Sequence, residues 1–166
     1  MFIWQYIDVP LDEVLKIQQD FKNLLPNNLS FFQKIKIDTK MFMGALIDRP
    51  ILIQVGANRI SPIHRDIRHD GTRNRLAIQI PLDNCEESTT SFWESTGKPL
   101  LSKTRNGHGY SYYEESMCTK LTEFKLTSPV IFDTEILHNV TNPTNQIRRA
   151  ISLRFKNDPW HLVKSN

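Results

Sequence analysis

Arg148-Arg149-Ala150-Ile151-Ser152-Leu153-Arg154-Phe155 is the stretch on which the fold turns. It reads as a strand, and successive side chains of a strand point to opposite faces. Arg148, Ala150, Ser152 and Arg154 therefore share one face. Arg149, Ile151, Leu153 and Phe155 share the other. The apolar second face suits a core, which would turn Arg149 towards a barrel interior. The first face suits a pocket wall, provided that helices cover the apolar one. Either way the strand sits inside a layered β structure.

Upstream, the chain has the same texture. Ile51-Leu52-Ile53-Gln54-Val55 is β-branched and apolar, bounded by Pro50 and Gly56. Ser61-Pro62-Ile63-His64, Leu76 to Ile80 before Pro81, and Thr89 to Trp93 follow. Leu121 to Leu126, Val130 to Phe132 and Ile136 to Val140 complete about eight short strands. Residues 97–116 are polar and Gly- and Tyr-containing, which predicts a long loop or an irregular hairpin. Ahead of the strands, residues 1–9 read as a first strand. Pro10 opens a helix whose apolar residues are Leu11, Val14, Leu15, Phe21, Leu24 and Leu25, and Pro26-Asn27-Asn28 stops it. A second helical or mixed segment is expected over 38–46. The pattern predicts a mainly β protein with N-terminal helices, a jelly roll of the double-stranded β-helix type.

The chain of 166 residues fits one domain: 1–48 as N-terminal strand and helices, 49–157 as jelly-roll core, 158–166 as tail. Two cysteines, Cys85 and Cys118, exclude a disulfide scaffold and a four-cysteine zinc module, leaving at most one disulfide. They read as small apolar groups. A net charge of +3 is too small to mark a nucleic-acid protein. No apolar run approaches a membrane span and no secretory leader is visible, so a cytoplasmic protein is expected.

His64-Arg65-Asp66 places an imidazole and a carboxylate two residues apart, on one face if the backbone is extended. Leu137-His138-Asn139-Val140 lies 74 residues on and offers a second imidazole. Two histidines and one carboxylate form the facial set of non-haem Fe(II) oxygenases. Ten residues after His138 come Arg148 and Arg149, cations suited to a dicarboxylate co-substrate. With so little cysteine, any metal is held by nitrogen and oxygen.

Those segments resemble the 2-oxoglutarate/Fe(II)-dependent oxygenases of the double-stranded β-helix type. The resemblance is to small microbial and phage-borne members near the phytanoyl-CoA and aspartyl/asparaginyl hydroxylase groups. It rests on Ile63 to Asp66, Arg75 to Cys85, and Pro129 to Phe155, and covers most of 50–156. The first 45 residues carry no such likeness. The resemblance implies His64, Asp66 and His138 as Fe(II) ligands. It implies Arg148 on the far carboxylate of 2-oxoglutarate with Ser152 as helper, and Arg149 is the alternative from strand parity. It implies O2 as co-substrate, and decarboxylation of 2-oxoglutarate coupled to hydroxylation of a small-molecule or peptidyl substrate. A cupin-like jelly roll that binds metal without 2-oxoglutarate, or without catalysis, is the rival.

Other residues compete for these roles. Asp133 and Glu135 could replace Asp66, though they read more simply as a strand-ending turn. His69 follows Arg68 beside the Asp70-Gly71 turn and His108 lies between glycines, so both read as exposed loop. His161 reads as a tail residue. Phe92 and Trp93 alternate as core residues or pocket wall. Arg59, Arg65, Arg68, Arg73 and Arg75 form either a solvated surface or a basic rim for an anionic substrate. No aromatics interleave with them, which disfavours nucleic acid. Tyr110, Tyr112 and Tyr113 could stack on a ligand, or the loop that carries them could act as a lid.

Overall fold

The computed structural model describes residues 1–22, 32–34, 37–66, 75–103 and 109–164. After β1 (Trp4–Tyr6), α1 (Leu11–Lys22) starts with Asp12 and Glu13 in its first turn, where the helix dipole favours carboxylates. Val14, Ile17 and Phe21 are its buried residues, a spacing of three and four that makes one face. Leu11 and Leu15, two of the apolar residues of the expected helix, flank that face and stay exposed. The expected stop at Pro26 to Asn28, with Leu24 and Leu25, lies outside the described residues.

β2 (Phe32–Lys34) is followed by β3 (Met41–Phe42) and β4 (Ala45–Val55). The second helical segment expected over 38–46 is instead a hairpin. Met43 (φ 51°) and Gly44 (φ 77°) both take positive φ, the two-residue turn that matches strand twist. The Met43 N–H donates to the Glu13 carboxylate at 2.8 Å, which ties this turn to α1.

β5 (Arg59–Ile60), β6 (Leu76–Asp83) and β7 (Thr89–Ser95) come next. Neither Pro50 nor Pro81 ends its strand, contrary to the expectation. Pro50 pairs with Leu153 on one side, and on the other no described residue of β2 or β3 is paired with it. Pro81 sits at a bulge opposite Ala150, beyond the stretch of β6 that the next neighbour pairs. Residues 97–116 hold the hairpin of β8 (Leu100–Lys103) and β9 (Gly109–Tyr112). β10 (Cys118–Lys125), β11 (Val130–Asp133), β12 (Leu137–Asn142) and β13 (Arg148–Phe155) complete the order.

All pairings are antiparallel. The larger sheet runs β1-β11-β6-β13-β4-β2, with β3 also on β4, and the smaller runs β10-β7-β12-β5. From β4 to β7 successive strands alternate between the sheets, and from β10 to β13 they alternate again. That crossing pattern is a double-stranded β-helix, the jelly roll expected from the sequence.

β13 is buried on both faces. Ile151, Leu153 and Phe155 pack with Val14, Ile17 and Phe21 of α1. Ala150 packs between the sheets with Ala77, Phe92, Phe124 and Phe132. The helix thus covers the apolar face, and the face bearing Arg148, Ser152 and Arg154 looks into the interior. No helix among the described residues is long and apolar enough to cross a membrane.

Candidate metal centre

His64 and His138 face each other across an isolated antiparallel bridge. The His64 N–H donates to the His138 carbonyl at 3.0 Å, and the His138 N–H returns a bond at 2.8 Å. The bridge puts the rings side by side, with centroids 4.8 Å apart. Each ring is then fixed in the same way. His64 Nδ1 lies 2.9 Å from the Pro62 carbonyl and His138 Nδ1 lies 2.8 Å from the Ile136 carbonyl. A carbonyl only accepts, so Nδ1 carries the proton when each ring is neutral, and Nε2 keeps a free lone pair. Outer contacts of this kind orient histidine ligands.

Asp66 completes the group. Its N–H donates to the Thr134 carbonyl at 3.0 Å. Its Oδ1 lies 3.5 Å from His64 Nε2 and its Oδ2 lies 4.0 Å from His138 Nε2. One ligand atom from each of the three residues lies within 4.8 Å of the other two. A metal about 2.0–2.1 Å from each nitrogen has neighbouring ligand atoms about 3 Å apart at right angles. The three side chains would draw together from separations of 3.5 Å and more to hold a metal, and their nitrogen and oxygen donors suit iron or a similar divalent ion. Phe92 and Phe132 pack on the His138 ring at 6.1 and 5.4 Å and keep that side dry.

Electrostatics separate the two histidines. Burial, then the positive charge on His64, pushes the His138 pKa down to about 4, so this ring is neutral at pH 7. Burial also opposes charge on His64, but the hydrogen bond and the charge of Asp66 outweigh it and raise that pKa. Burial would raise Asp66. The Arg154 guanidinium and the two histidines hold its carboxyl well below the usual carboxylate range instead.

Further along the same interior lies Arg148, with no exposed surface. Its Nε donates to Ser88 Oγ at 3.3 Å and its Nη2 to Gln79 Oε1 at 3.4 Å, both neutral partners. Burial pulls its pKa down. Among the described residues its Nη1 has no hydrogen-bond partner, nor have Ser152 Oγ and Thr90 Oγ1, while the Cys85 thiol also acts on the guanidinium. By strand parity with Ala150 and Phe92, Ser152 and Thr90 also point between the sheets. Orphaned buried polar atoms need an explanation. Two hydroxyls and a guanidinium N–H are donors suited to a carboxylate.

Arg149 takes no part in this pocket. It lies on the other face, where its Nε donates to Gln54 at 3.0 Å and its Nη1 meets Asp83 at 3.3 Å. Asp133 and Glu135 both pair with Arg75, which removes them as rivals to Asp66 and neutralises one cation of the supposed basic rim. Arg65 reaches over Tyr113 and donates to its hydroxyl at 2.8 Å. His161 lies 3.0 Å from the Met43 carbonyl. His69, His108, Arg68 and Arg73 fall outside the described residues. Trp93 donates to Asn139 at 2.8 Å. Cys85 and Cys118 are not bridged.

No role follows from the sequence for Arg154, Gln79, Ser88 or Thr90, although Gln79 and Arg154 lie in the stretches that carry the resemblance. Parity alone places Arg154 with Arg148. Nothing in the polar run Ser88 to Ser91 tells an interior hydroxyl from a surface one.

No protein-family model matches the chain, and no curated protein matches it in sequence. Among solved structures it is similar to AviO1 from Streptomyces viridochromogenes Tue57, at 11 % identity and a TM-score of 0.51, covering 99 % of this chain and 93 % of that one. A Pseudomonas putida prolyl-4-hydroxylase aligns over 95 % of this chain and 94 % of its own, at 12 % identity and a TM-score of 0.48. EctD from S. alaskensis aligns over 98 % and 80 %, at 15 % identity and a TM-score of 0.47. Only the likeness to AviO1 carries weight, and at its identity it speaks for the fold alone.

Proposed function

We propose that this chain is a 2-oxoglutarate-dependent oxygenase that holds Fe(II) on His64, Asp66 and His138. The observation that carries the reading is the pairing of two features in one interior: a three-ligand nitrogen/oxygen cluster, and a buried arginine whose Nη1 has no hydrogen-bond partner among the described residues. Bound iron would supply the activation of O2, with 2-oxoglutarate as the reductant that is decarboxylated to succinate. The chain's own part is placement. His64 and His138 present Nε2, with Nδ1 tied to backbone. Arg148, Ser152 and Thr90 receive the far carboxylate of the co-substrate. Phe92 and Phe132 exclude water beside His138.

The substrate meets the centre from the more open side, since the side chains of His64 and Asp66 are 24 % and 34 % exposed and that of His138 only 8 %. A small molecule or a peptidyl side chain fits that approach, and Arg65 would be the nearby cation for an anionic one.

Succinate release tests the reading. The protein, Fe(II), O2 and 2-oxoglutarate are combined with pools of amino acids, peptides, nucleotides and lipids. Wild type and Arg149→Ala should release succinate with at least one pool. Arg148→Met and His138→Ala should not. Iron binding without succinate in every pool would favour the cupin-like, 2-oxoglutarate-independent alternative.

A further inference from the structure

The three ligand side chains are not held alike. Each histidine is pinned by a backbone carbonyl two residues upstream on its own segment. Asp66 follows the His64 bridge on backbone that belongs to no strand, and its side chain is the most exposed of the three. A carboxylate in that position can rotate about χ2, presenting one oxygen or both. What meets it is Arg154. The Arg154 side chain is 8 % exposed, rooted in the central strand β13, and its Nη2 donates to Asp66 Oδ2. Oδ1 is left as the oxygen nearer His64 Nε2.

We propose that Arg154 is a positioning residue that makes Asp66 a single-oxygen metal ligand. This rests on the metal-binding part of the function proposed above. With Oδ2 held by the guanidinium, the three residues supply three donor atoms to a metal. An octahedral ion then keeps three positions, as a dicarboxylate co-substrate and O2 require together. A carboxylate binding through both oxygens would take one of them.

The alternative makes the opposite prediction. A guanidinium beside a metal ligand carries the same sign of charge as the metal, and it competes for the same carboxylate. If charge were its whole effect, removing it would tighten metal binding. If Arg154 positions Asp66, removing it weakens metal binding by the roughly 10–100-fold typical of lost outer-shell partners.

The test uses Co(II) alone, titrated anaerobically into wild type, Arg154→Met and Arg154→Gln, with affinity and the visible absorption of the bound ion as readouts. Gln is neutral like Met but keeps an N–H that can reach Oδ2. The expected order of affinity is wild type, then Gln, then Met. The absorption of the Gln variant should match wild type, and that of the Met variant should shift as Asp66 changes its mode of binding. If Met and Gln bind Co(II) equally and at least as tightly as wild type, the positioning role is overturned while the metal site stands. If Arg154→Met does not fold, the Gln variant decides: affinity equal to or above wild type with an altered spectrum overturns the role. If wild type binds no Co(II), the metal reading falls and takes this inference with it.

Discussion

At the Arg154 end of the interior face of β13, the buried charge is matched within the chain; at the Arg148 end it is not. Arg154 donates to Asp66, which also faces two histidines. Arg148 is more deeply buried, yet meets Ser88, Gln79 and the Cys85 thiol with no carboxylate, and among the described residues its Nη1 has no hydrogen-bond partner. Both guanidiniums come from one strand face six residues apart. A buried cation with neutral partners costs stability unless something else completes it. On the proposed reading, the end bearing the histidines and Asp66 is the one that takes a cation. On the same reading, the arginine end is the one that takes an anion.

The metal end gives the largest effect. His138→Ala removes a ligand held by two backbone bonds and two aromatic rings. Its metal affinity, read by competition with a chromophoric chelator, should fall by more than the roughly 10–100-fold expected for an outer contact. A smaller loss would mean that Asp66 and His64 suffice, and the comparison would lose one side.

Next comes the response to co-substrate. If Arg148 awaits an anion, 2-oxoglutarate at 100 times its Kd should stabilise the metal-loaded wild type by about 2.7 kcal/mol in denaturant titrations. Arg148→Met should lose that response. Without ligand, the same variant should be as stable as wild type or more so, because buried charges often give way to apolar side chains of like volume at no cost. A large destabilisation of unliganded Arg148→Met would show that the arginine is structural.

The smallest effect belongs to Arg149→Ala. Its ion pair with Asp83 is partly exposed, so losing that pair should cost under about 1 kcal/mol. Its 2-oxoglutarate response should equal that of wild type. A lost response would reassign the co-substrate arginine.

Strand alternation and ligand spacing made the jelly roll and the three ligand candidates legible in the sequence. His-x-Asp and the later His are local patterns, and the fold joins them by one bridge. What remained hidden depends on which layer covers which face. Parity divides β13 into two sets, but only the packing of Val14, Ile17 and Phe21 decides that the apolar set faces outward to α1. That contact is long-range, and it reverses the simple expectation that apolar means interior. The hairpin at Met43-Gly44 was hidden for a related reason. A positive φ at Met43 is costly by itself and is held in part by Glu13, thirty residues earlier. Thr90 and Ser152 look like any strand hydroxyls until the sheets close over them.

The most direct test of the paired ends is the visible charge-transfer absorption of an iron-bound 2-oxo acid under anaerobic conditions. With Fe(II) and 2-oxoglutarate together, wild type should develop the band, and neither addition alone should. At the same 2-oxoglutarate concentration, His138→Ala and Arg148→Met should remain colourless. Wild type that binds Fe(II) but stays colourless at saturating 2-oxoglutarate would contradict the account.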